Sequence, residues 1–462
     1  MPPTASPTPS YEEALAHLDG LVNYERKPET MPVVKNLRLE GIRRFLALLG
    51  NPHHRYDTIH VAGTKGKGST ATMVAAFLQG TGLRVGLYTS PHLVSVRERI
   101  VLDGARLSRR RFCEGFAALR PALEQYARDS GERPLTYFDT LTALAFQVFA
   151  EDRVDAAVIE VGLGGRLDTT NVIRPSATAV TPISYDHMQQ LGNTLALIAA
   201  EKGGLIKQGV PVVLGPQPEE ADAVLARIAS ERSAPVRRVG ADGLHGRSIS
   251  KTPPAGGPQR IDLASWRASY RDVPFSLLGE HQVQNLVLAL GLVETYLELR
   301  DRPPLPEALL RRACETLEMP GRVECIGRSP WTILDGAHNP ASIRALIETI
   351  RSSFPFERSL LVFATARDKD APAMLRLLAP LADEAIFTQT GNPRARAPEE
   401  LSSIWKECAH RPALIERDPV RALALARERA RPSDLICLTG SLYLAGRIRA
   451  HLLPGLQDRA GP

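Results

Sequence analysis

His60-Val61-Ala62-Gly63-Thr64-Lys65-Gly66-Lys67-Gly68-Ser69-Thr70 is a glycine-rich, lysine-bearing segment set between an apolar run and a helical one. Asp57 to Ala62 reads as a short buried strand, and Thr70 to Gly80 as an amphipathic helix stopped near Gly80 and Gly82. A loop in that setting aims backbone N–H groups and a helix N-terminus at one spot, which suits the phosphates of a nucleotide triphosphate. Gly63, Thr64, Lys65, Gly66, Lys67, Gly68 and Ser69 therefore form the candidate cradle. Lys67 would reach the terminal phosphates as a compact point charge. The loop departs from the pattern G-x-x-x-x-G-K-[ST]: Val61 stands where the first glycine belongs, and Gly68 where a hydroxyl should follow the lysine. The hydroxyl that touches Mg²⁺ must then come from Ser69 or from elsewhere in the chain.

Outward from the loop, the pattern is α/β. Arg84 to Thr89 reads as a strand running into Ser90-Pro91-His92-Leu93, and Thr136 to Ala150 as a helix. Asp155 to Val161 is a buried strand with Glu160 at its far end, followed by the flexible Gly162-Leu163-Gly164-Gly165-Arg166. Ala177 to Pro182 is a further strand leading to Tyr185-Asp186-His187; a helix is expected from about Thr194 to Lys207 and a strand over Val210 to Gly215. Strands alternating with helices predict a mainly parallel sheet with its site at the strands' carboxyl ends. That rule brings Ser90, Glu160 and His187 to the edge that carries the loop. Hard oxygen donors beside a phosphate cradle suit Mg²⁺. Each of the three also has an ordinary reading, as turn residue, strand-end charge or loop histidine.

Composition bounds the rest. The chain has 462 residues, 44% hydrophobic and 23% charged, enough for two or three domains. Met1 to Ser10 reads as a loose tail, and no segment resembles a membrane span or a signal peptide. Five scattered cysteines without metal spacing point to a reducing cytoplasm. The net charge of +6 is not gathered into basic runs interleaved with aromatics, so it suits small polyanions better than nucleic acid. Lysine fills only nine of 57 basic positions, yet stands at Lys65, Lys67 and Lys202, where an amine rather than a guanidinium is the better fit. Between Val236 and Gly279 a Gly/Pro-rich excursion, including Pro253 to Pro258, predicts short antiparallel strands and no chemistry. Met319-Pro320-Gly321-Arg322 reads as a linker into a second α/β unit. Its strands are expected at Trp331 to Leu334, Leu360 to Ala364 and Leu435 to Leu438.

The segments HVAGTKGKGST, TSPHL, EVGLGGRLDTTN, YDH, EKGGLIK, GEHQVQN, PGR, LDGAHNP, DKD, NPRA and GSLYL stand in an order that resembles the folylpolyglutamate synthase and dihydrofolate synthase family, within the Mur ligase superfamily. The resemblance runs from about Tyr11 to Arg449. It implies a loose tail (1–10), an ATP-binding Mur-ligase-type domain (11–319) and a smaller Rossmann-like C-terminal domain (320–462). It implies an ATP-dependent amide ligase: a substrate carboxylate takes the γ-phosphate of ATP, and the amine of L-glutamate then displaces phosphate from the acyl phosphate. The acids would be dihydropteroate, a reduced folate, or both.

Residue by residue, the resemblance implies two Mg²⁺ ions, one on Ser90 and Glu160 and one on Glu160 and His187. It matches Lys202 to a lysine that carries a carbamate, Asn285, Arg322 and Asp335 to nucleotide contacts, His338 to a place near the nucleotide or the incoming glutamate, and Ser441 to the glutamate side. Phe138 would stack on the pterin, although core packing explains an aromatic there equally well. Lys67, Lys202 and His187 are the expected catalytic set. A cytoplasmic monomer acting on small molecules, without nucleic-acid or membrane partners, is the expectation. Two other classes share the loop: a cell-wall Mur ligase, disfavoured by how early Gly63 falls, and a P-loop ATPase or nucleotide switch.

Overall fold

The computed structural model describes residues 8–26, 38–129, 134–249 and 256–453. In chain order the strands are β1 (Asp57–Ala62), β2 (Val85–Tyr88), β3 (Ile100–Leu102), β4 (Ala105–Arg106), β5 (Ala156–Glu160), β6 (Ala177–Val180), β7 (Val212–Leu214) and β8 (Val236–Arg238). They build one sheet in the order β4-β3-β2-β5-β1-β6-β7-β8. From β2 to β8 every pairing is parallel, and β3 and β4 extend the β2 edge antiparallel. Such a sheet must be covered on both faces, and its inner strands β5, β1 and β6 are accordingly almost wholly buried. One face packs against the helices Lys67–Gly80 and Glu280–Glu298, and much of the other against the helices Tyr11–Asp19, Arg109–Arg128 and Tyr137–Glu151.

Three antiparallel strands follow, β9 (His245–Ser248), β10 (Gln259–Ala264) and β11 (Ser269–Phe275), as the excursion predicted. They cover the outer side of the helix Glu280–Glu298: a Cβ on Gly246 would lie 2.6 Å from a Val287 methyl. Residues 253–255 of the Pro/Gly stretch lie outside the described residues.

The second sheet uses β12 (Glu324–Arg328), β13 (Trp331–Leu334), β14 (Ser359–Phe363), β15 (Glu384–Phe387), β16 (Leu414–Ile415) and β17 (Leu435–Thr439), in the order β12-β13-β17-β14-β15-β16. Only β12 runs antiparallel to its neighbour. Two apolar clusters, one around Trp405 and Ile350 and one around Leu423 and Ile448, cover its faces. The chain is thus an α/β protein with a large, mostly parallel sheet and a second α/β domain at its C-terminal end. No helix among the described residues is long and apolar enough to cross a membrane.

Three local expectations are corrected. The helix after the phosphate loop starts at Lys67 rather than Thr70 and is not amphipathic: Ala71, Met73, Val74, Phe77 and Leu78 are all buried, because sheet and helix Glu280–Glu298 enclose it. The helix expected to reach Lys207 spans Leu195–Gly203. Arg166 packs against the residue that follows, Gly204, where a Cβ would lie 2.4 Å from the Arg166 Cβ, so only glycine fits at that helix end. Ser10 is no tail residue: it caps the helix Tyr11–Asp19 in a reciprocal bond pair with Glu13, while residues 1–7 lie outside the described residues.

Candidate active site

Register decides where the site lies. β1 sits between β5 and β6, and Val61 pairs with Glu160, so the strand-end carboxylate arrives two residues short of Gly63. β2 lies on the far side of β5, with Tyr88 opposite Ile159, which brings Ser90 to the same edge. Ser90 N–H donates to Glu160 Oε2 at 3.0 Å. The carboxyl edges of β2, β5, β1 and β6 therefore meet at one point, where a parallel sheet presents its ligand.

The loop's glycines are required by this crowding. Gly63 has φ +139°, and a Cβ there would fall 1.9 Å from Thr181 Oγ1. Gly66, with φ +87°, caps the helix, and its Cβ would fall 2.2 Å from Asn285 Oδ1. At Gly68 the added atom would lie 3.3 Å from Glu160 Oε2. Glycine replaces the usual hydroxyl residue because the β5 carboxylate stands against the helix's first turn. Thr64 is turned to structure: its hydroxyl donates to Ser184 O at 3.2 Å and accepts the Ser184 N–H at 3.1 Å.

Lys202 is buried and donates from Nζ to the Gly63 carbonyl at 2.7 Å. Burial, reinforced by the charge of Lys67, drives its amine well below its ordinary value. Gly165 presses on the same helix end, where a Cβ would lie 2.8 Å from the Glu201 and Lys202 carbonyl oxygens. Burial pushes the Glu160 carboxyl up, while Lys67 and the Ser90 N–H pull it down. A hard carboxylate oxygen next to Gly68, with Ser90 beside it, is a donor set that suits Mg²⁺. Among the described residues no three His, Cys, Asp or Glu side chains cluster as a metal cage. His187 faces Asp186, with Nε2 3.9 Å from Oδ1, and its side chain is 46% exposed. The protein around its ring, with Lys369, Lys202 and Lys67 nearby and Asp186 opposing them, holds it below its ordinary value.

The second domain closes the site. Lys65 Nζ binds Asp186 Oδ2 at 2.7 Å and faces His338 Nε2 at 3.5 Å, while Lys369 Nζ stands 3.6 Å from Asp186 Oδ1. His338 Nδ1 contacts the Gly336 carbonyl at 2.8 Å, so the proton sits on Nδ1 and the Nε2 lone pair faces the Lys65 ammonium. Burial raises Asp186, but Lys65, His187 and Lys369 overcome it and hold the carboxyl below its ordinary range. Asp335 accepts Val323 N–H at 2.8 Å and Ala337 N–H at 2.7 Å, clamping the linker to the end of β13. Arg322 lies beside Gly336, where a Cβ would meet its guanidinium nitrogen at 2.9 Å, and Ser441 caps the helix Leu442–Leu452 through Tyr443 N–H. The Phe138 ring lies against Gly162, where a Cβ would stand 2.5 Å from Cζ, and 6.0 Å from the Tyr88 ring.

Two buried networks carry the loops and were not read from the sequence. Arg99 donates to His92 Nδ1 at 2.9 Å and to both Glu25 oxygens, fixing the turn after β2. Glu25 O in turn accepts from Arg394 at 3.1 Å, a second bridge between the domains. Thr170 donates to Asp168 at 2.5 Å and accepts from His60 at 2.9 Å, which braces the loop after β5. The DKD and YDH segments carried a signal for the Lys369–Asp186 pair; nothing local in the sequence links Glu25 to Arg99.

Residues 61–293 match the model of the Mur ligase middle domain and residues 321–442 that of the Mur ligase glutamate ligase domain. Fold and loop thus define a Mur-type ATP-dependent ligase. The chain is 32% identical over 454 residues to the dihydrofolate synthase/folylpolyglutamate synthase of Bacillus subtilis (strain 168), covering 96% of this chain and 99% of that protein. It superposes on the folylpolyglutamate synthase of Mycobacterium tuberculosis complexed with ADP with a TM-score of 0.86 at 31% identity, over 98% of this chain and 100% of that one. On E. coli FolC in complex with DHPP and ADP the TM-score is 0.83 at 25% identity, over 97% and 100%. The chain belongs to the folylpolyglutamate synthase/dihydrofolate synthase family.

Proposed function

We propose that this ligase is bifunctional, adding L-glutamate both to dihydropteroate and to reduced folates. The observation that carries a two-substrate ligase is the convergence of Lys65 and Asp186 from the large sheet with Lys369 and His338 from the second domain. A switch that only sensed a triphosphate would not need a second domain's groups at that cleft. The name of the Bacillus subtilis relative, which joins both activities, supports the double specificity.

In this reading the backbone N–H groups from Gly63 to Ser69 and the Lys67 ammonium hold the phosphates, with Asn285, Arg322, Asp335 and His338 around the nucleotide. Asp335 keeps a lone pair on each oxygen beyond the two N–H bonds it accepts, enough for a ribose hydroxyl. Ser90, Glu160 and His187 would hold two Mg²⁺ ions, which when bound neutralise phosphate charge. The substrate carboxylate attacks the γ-phosphorus, ADP leaves, and the acyl phosphate is shielded from water by the second domain. The glutamate amine then attacks the acyl carbon, losing a proton as phosphate departs. The loop and its cations act by position and charge rather than by covalent help.

Lys202 is the group for carbamylation. Its depressed, neutral amine is the form that attacks CO₂, losing a proton to leave an anionic carbamate. The carbamate keeps one N–H on Nζ, which can go on donating to the Gly63 carbonyl, while its anionic oxygens would turn toward the surrounding cations. Phe138 would bear the pterin and Ser441 the incoming glutamate. The ATP-binding domain is taken as 11–319 and the glutamate ligase domain as 320–462, in a cytoplasmic monomer with small-molecule partners only.

The test is product mass. With ATP, Mg²⁺ and L-glutamate, both dihydropteroate and tetrahydrofolate should gain one glutamyl unit. Product from one acid alone reduces the reading to a specialist. ATP hydrolysis without product from either overturns it in favour of a switch or a ligase for another acid.

A further inference from the structure

The turn after β2 belongs to two domains at once. Its Leu93 packs against the apolar cluster around Leu423 and Ile448, every buried member of which lies in the second domain. The contact is tight. On the helix Leu442–Leu452, Gly446 is buried and faces the backbone of Leu93: a Cβ at Gly446 would fall 2.2 Å from the Leu93 carbonyl oxygen and 3.0 Å from its carbon. The Leu93 methyls reach the linker as well, since a Cβ at Gly321 would stand 3.4 Å from Leu93 Cδ1 and 3.5 Å from Ala445 Cβ. Helix, linker and turn therefore meet at one leucine.

The other end of the turn lies at the phosphate edge, where Ser90 N–H donates to Glu160 Oε2 at 3.0 Å. Between Ser90 and Leu93 the backbone has little freedom. Glu98 accepts the N–H groups of Leu93 at 2.8 Å, Val94 at 3.1 Å and Ser95 at 2.8 Å, and Arg99 holds His92. A segment pinned at each of these points moves as a unit, so a shift at Leu93 is felt at Ser90. The helix side is as firm: Ser441 caps its first turn, and Ala445 N–H donates to Ser441 O at 3.1 Å.

We propose that Leu93 is a positioning residue for the ligase reaction: its seat on Gly446 and Ala445 sets the second domain's last helix against the turn that carries Ser90. The glutamate side, at Ser441, and the metal edge, at Ser90 and Glu160, are thereby held at one separation. The proposal rests on the reading above of Ser90 as a Mg²⁺ ligand and Ser441 as a glutamate contact. A leucine on a glycine floor suits the task, because close packing of this kind is stiff and carries no charge that phosphate or Mg²⁺ would disturb. Loosening the seat should free Ser90 and admit water to the acyl phosphate before the amine arrives.

Leu93→Ala empties the seat from the first domain and Gly446→Ala crowds it from the second, so the two variants probe one contact from opposite sides. Leu401→Ala, in the cluster on the other face of the second sheet, is the control for lost stability alone. One readout is phosphate released per glutamyl product, with ATP, Mg²⁺, L-glutamate and whichever of dihydropteroate or tetrahydrofolate the parent accepts. The other is Mn²⁺ binding, measured by electron paramagnetic resonance with ADP present and no turnover. Both seat variants should release about twofold or more phosphate per product. They should bind Mn²⁺ about tenfold more weakly. Leu401→Ala should lower Tm and leave both readouts at the parent's level. Seat variants that match the parent in either readout, or a control that moves both equally, overturn the proposal. If Gly446→Ala does not fold, Leu93→Ala decides alone. A parent that binds no Mn²⁺ beside ADP overturns the metal reading and the proposal with it. A parent that makes no product from either acid fells the folate reading only, and the Mn²⁺ arm then decides.

Discussion

Lys202 Nζ and the Gly63 carbonyl lie 2.7 Å apart, tying the last turn of the helix Leu195–Gly203 to the bend of the phosphate loop. Because the amine is buried and neutral, this bond costs no buried charge. Lys202→Arg forces a permanent cation into the same space and forbids a carbamate; Lys202→Met keeps the length and removes both roles. Both variants should fold and lose on the order of 100-fold in kcat. ¹³C NMR with labelled bicarbonate should show a carbamate resonance in the parent and none in either variant. A parent without that resonance would reduce Lys202 to a loop anchor.

Gly68 gives a second test. Restoring the hydroxyl of the common loop pattern with Gly68→Ser places a Cβ 3.3 Å from Glu160 Oε2 and presses on the carboxylate that Ser90 N–H holds. The substitution should raise KM for ATP and lower kcat/KM by about tenfold, a loss of about 1.4 kcal/mol. Unchanged kinetics would mean that Glu160 gives way freely and has no fixed role.

Asp186 is the anion shared by Lys65, from the phosphate loop, and Lys369, from the second domain. Asp186→Asn removes the counter-charge that Lys65 and Lys369 share next to His338, leaving, among the described residues, only Asp368, 3.8 Å from Lys369. The second domain should then sit farther out, turning at Pro320 to Arg322, and the radius of gyration from X-ray scattering should rise. In the parent, an ATP analogue with folate should compact the particle. Scattering curves that match with and without both ligands would argue against domain closure.

The sequence carried the sheet edge well, because each strand there is a compact apolar run ending in a polar residue: β1 in the loop, β5 in Glu160, β13 in Asp335. Alternation with helices was enough to bring the ends of β1 and β5 together in one sheet. Helix ends were less legible. The glycine at 204, just past the helix end at Gly203, is required by Arg166, from a segment more than thirty residues earlier, which periodicity does not record. The Glu25–Arg99 pair was invisible for the same reason, since its partners lie 74 residues apart in the chain. Lys65 was legible as a retained lysine, but its partner Asp186 emerges only from the packing of β6 beside β1.

His60 offers a pH test of the loop brace. It is fully buried on β1, and the Thr170 hydroxyl, which already donates to Asp168, must accept from His60 Nε2–H. Its Nδ1 is buried with no partner to take up a second N–H, so the ring is neutral, and burial, with Lys207 adding to it, holds it at about 3 against an ordinary 6.5. Between those values the unfolded chain binds more protons than the folded one. The stability tied to this ring is thus complete above pH 6.5 and is lost as the pH falls toward 3. From pH 6.5 to pH 5 the loss is about 2 kcal/mol. His60→Gln can still donate to Thr170 but does not titrate. Its Tm should therefore drop less between pH 7 and pH 5 than the parent's, whatever the substitution costs at pH 7. Parallel Tm profiles would show that His60 takes up no proton on unfolding in that range, and that the acid sensitivity lies with other groups.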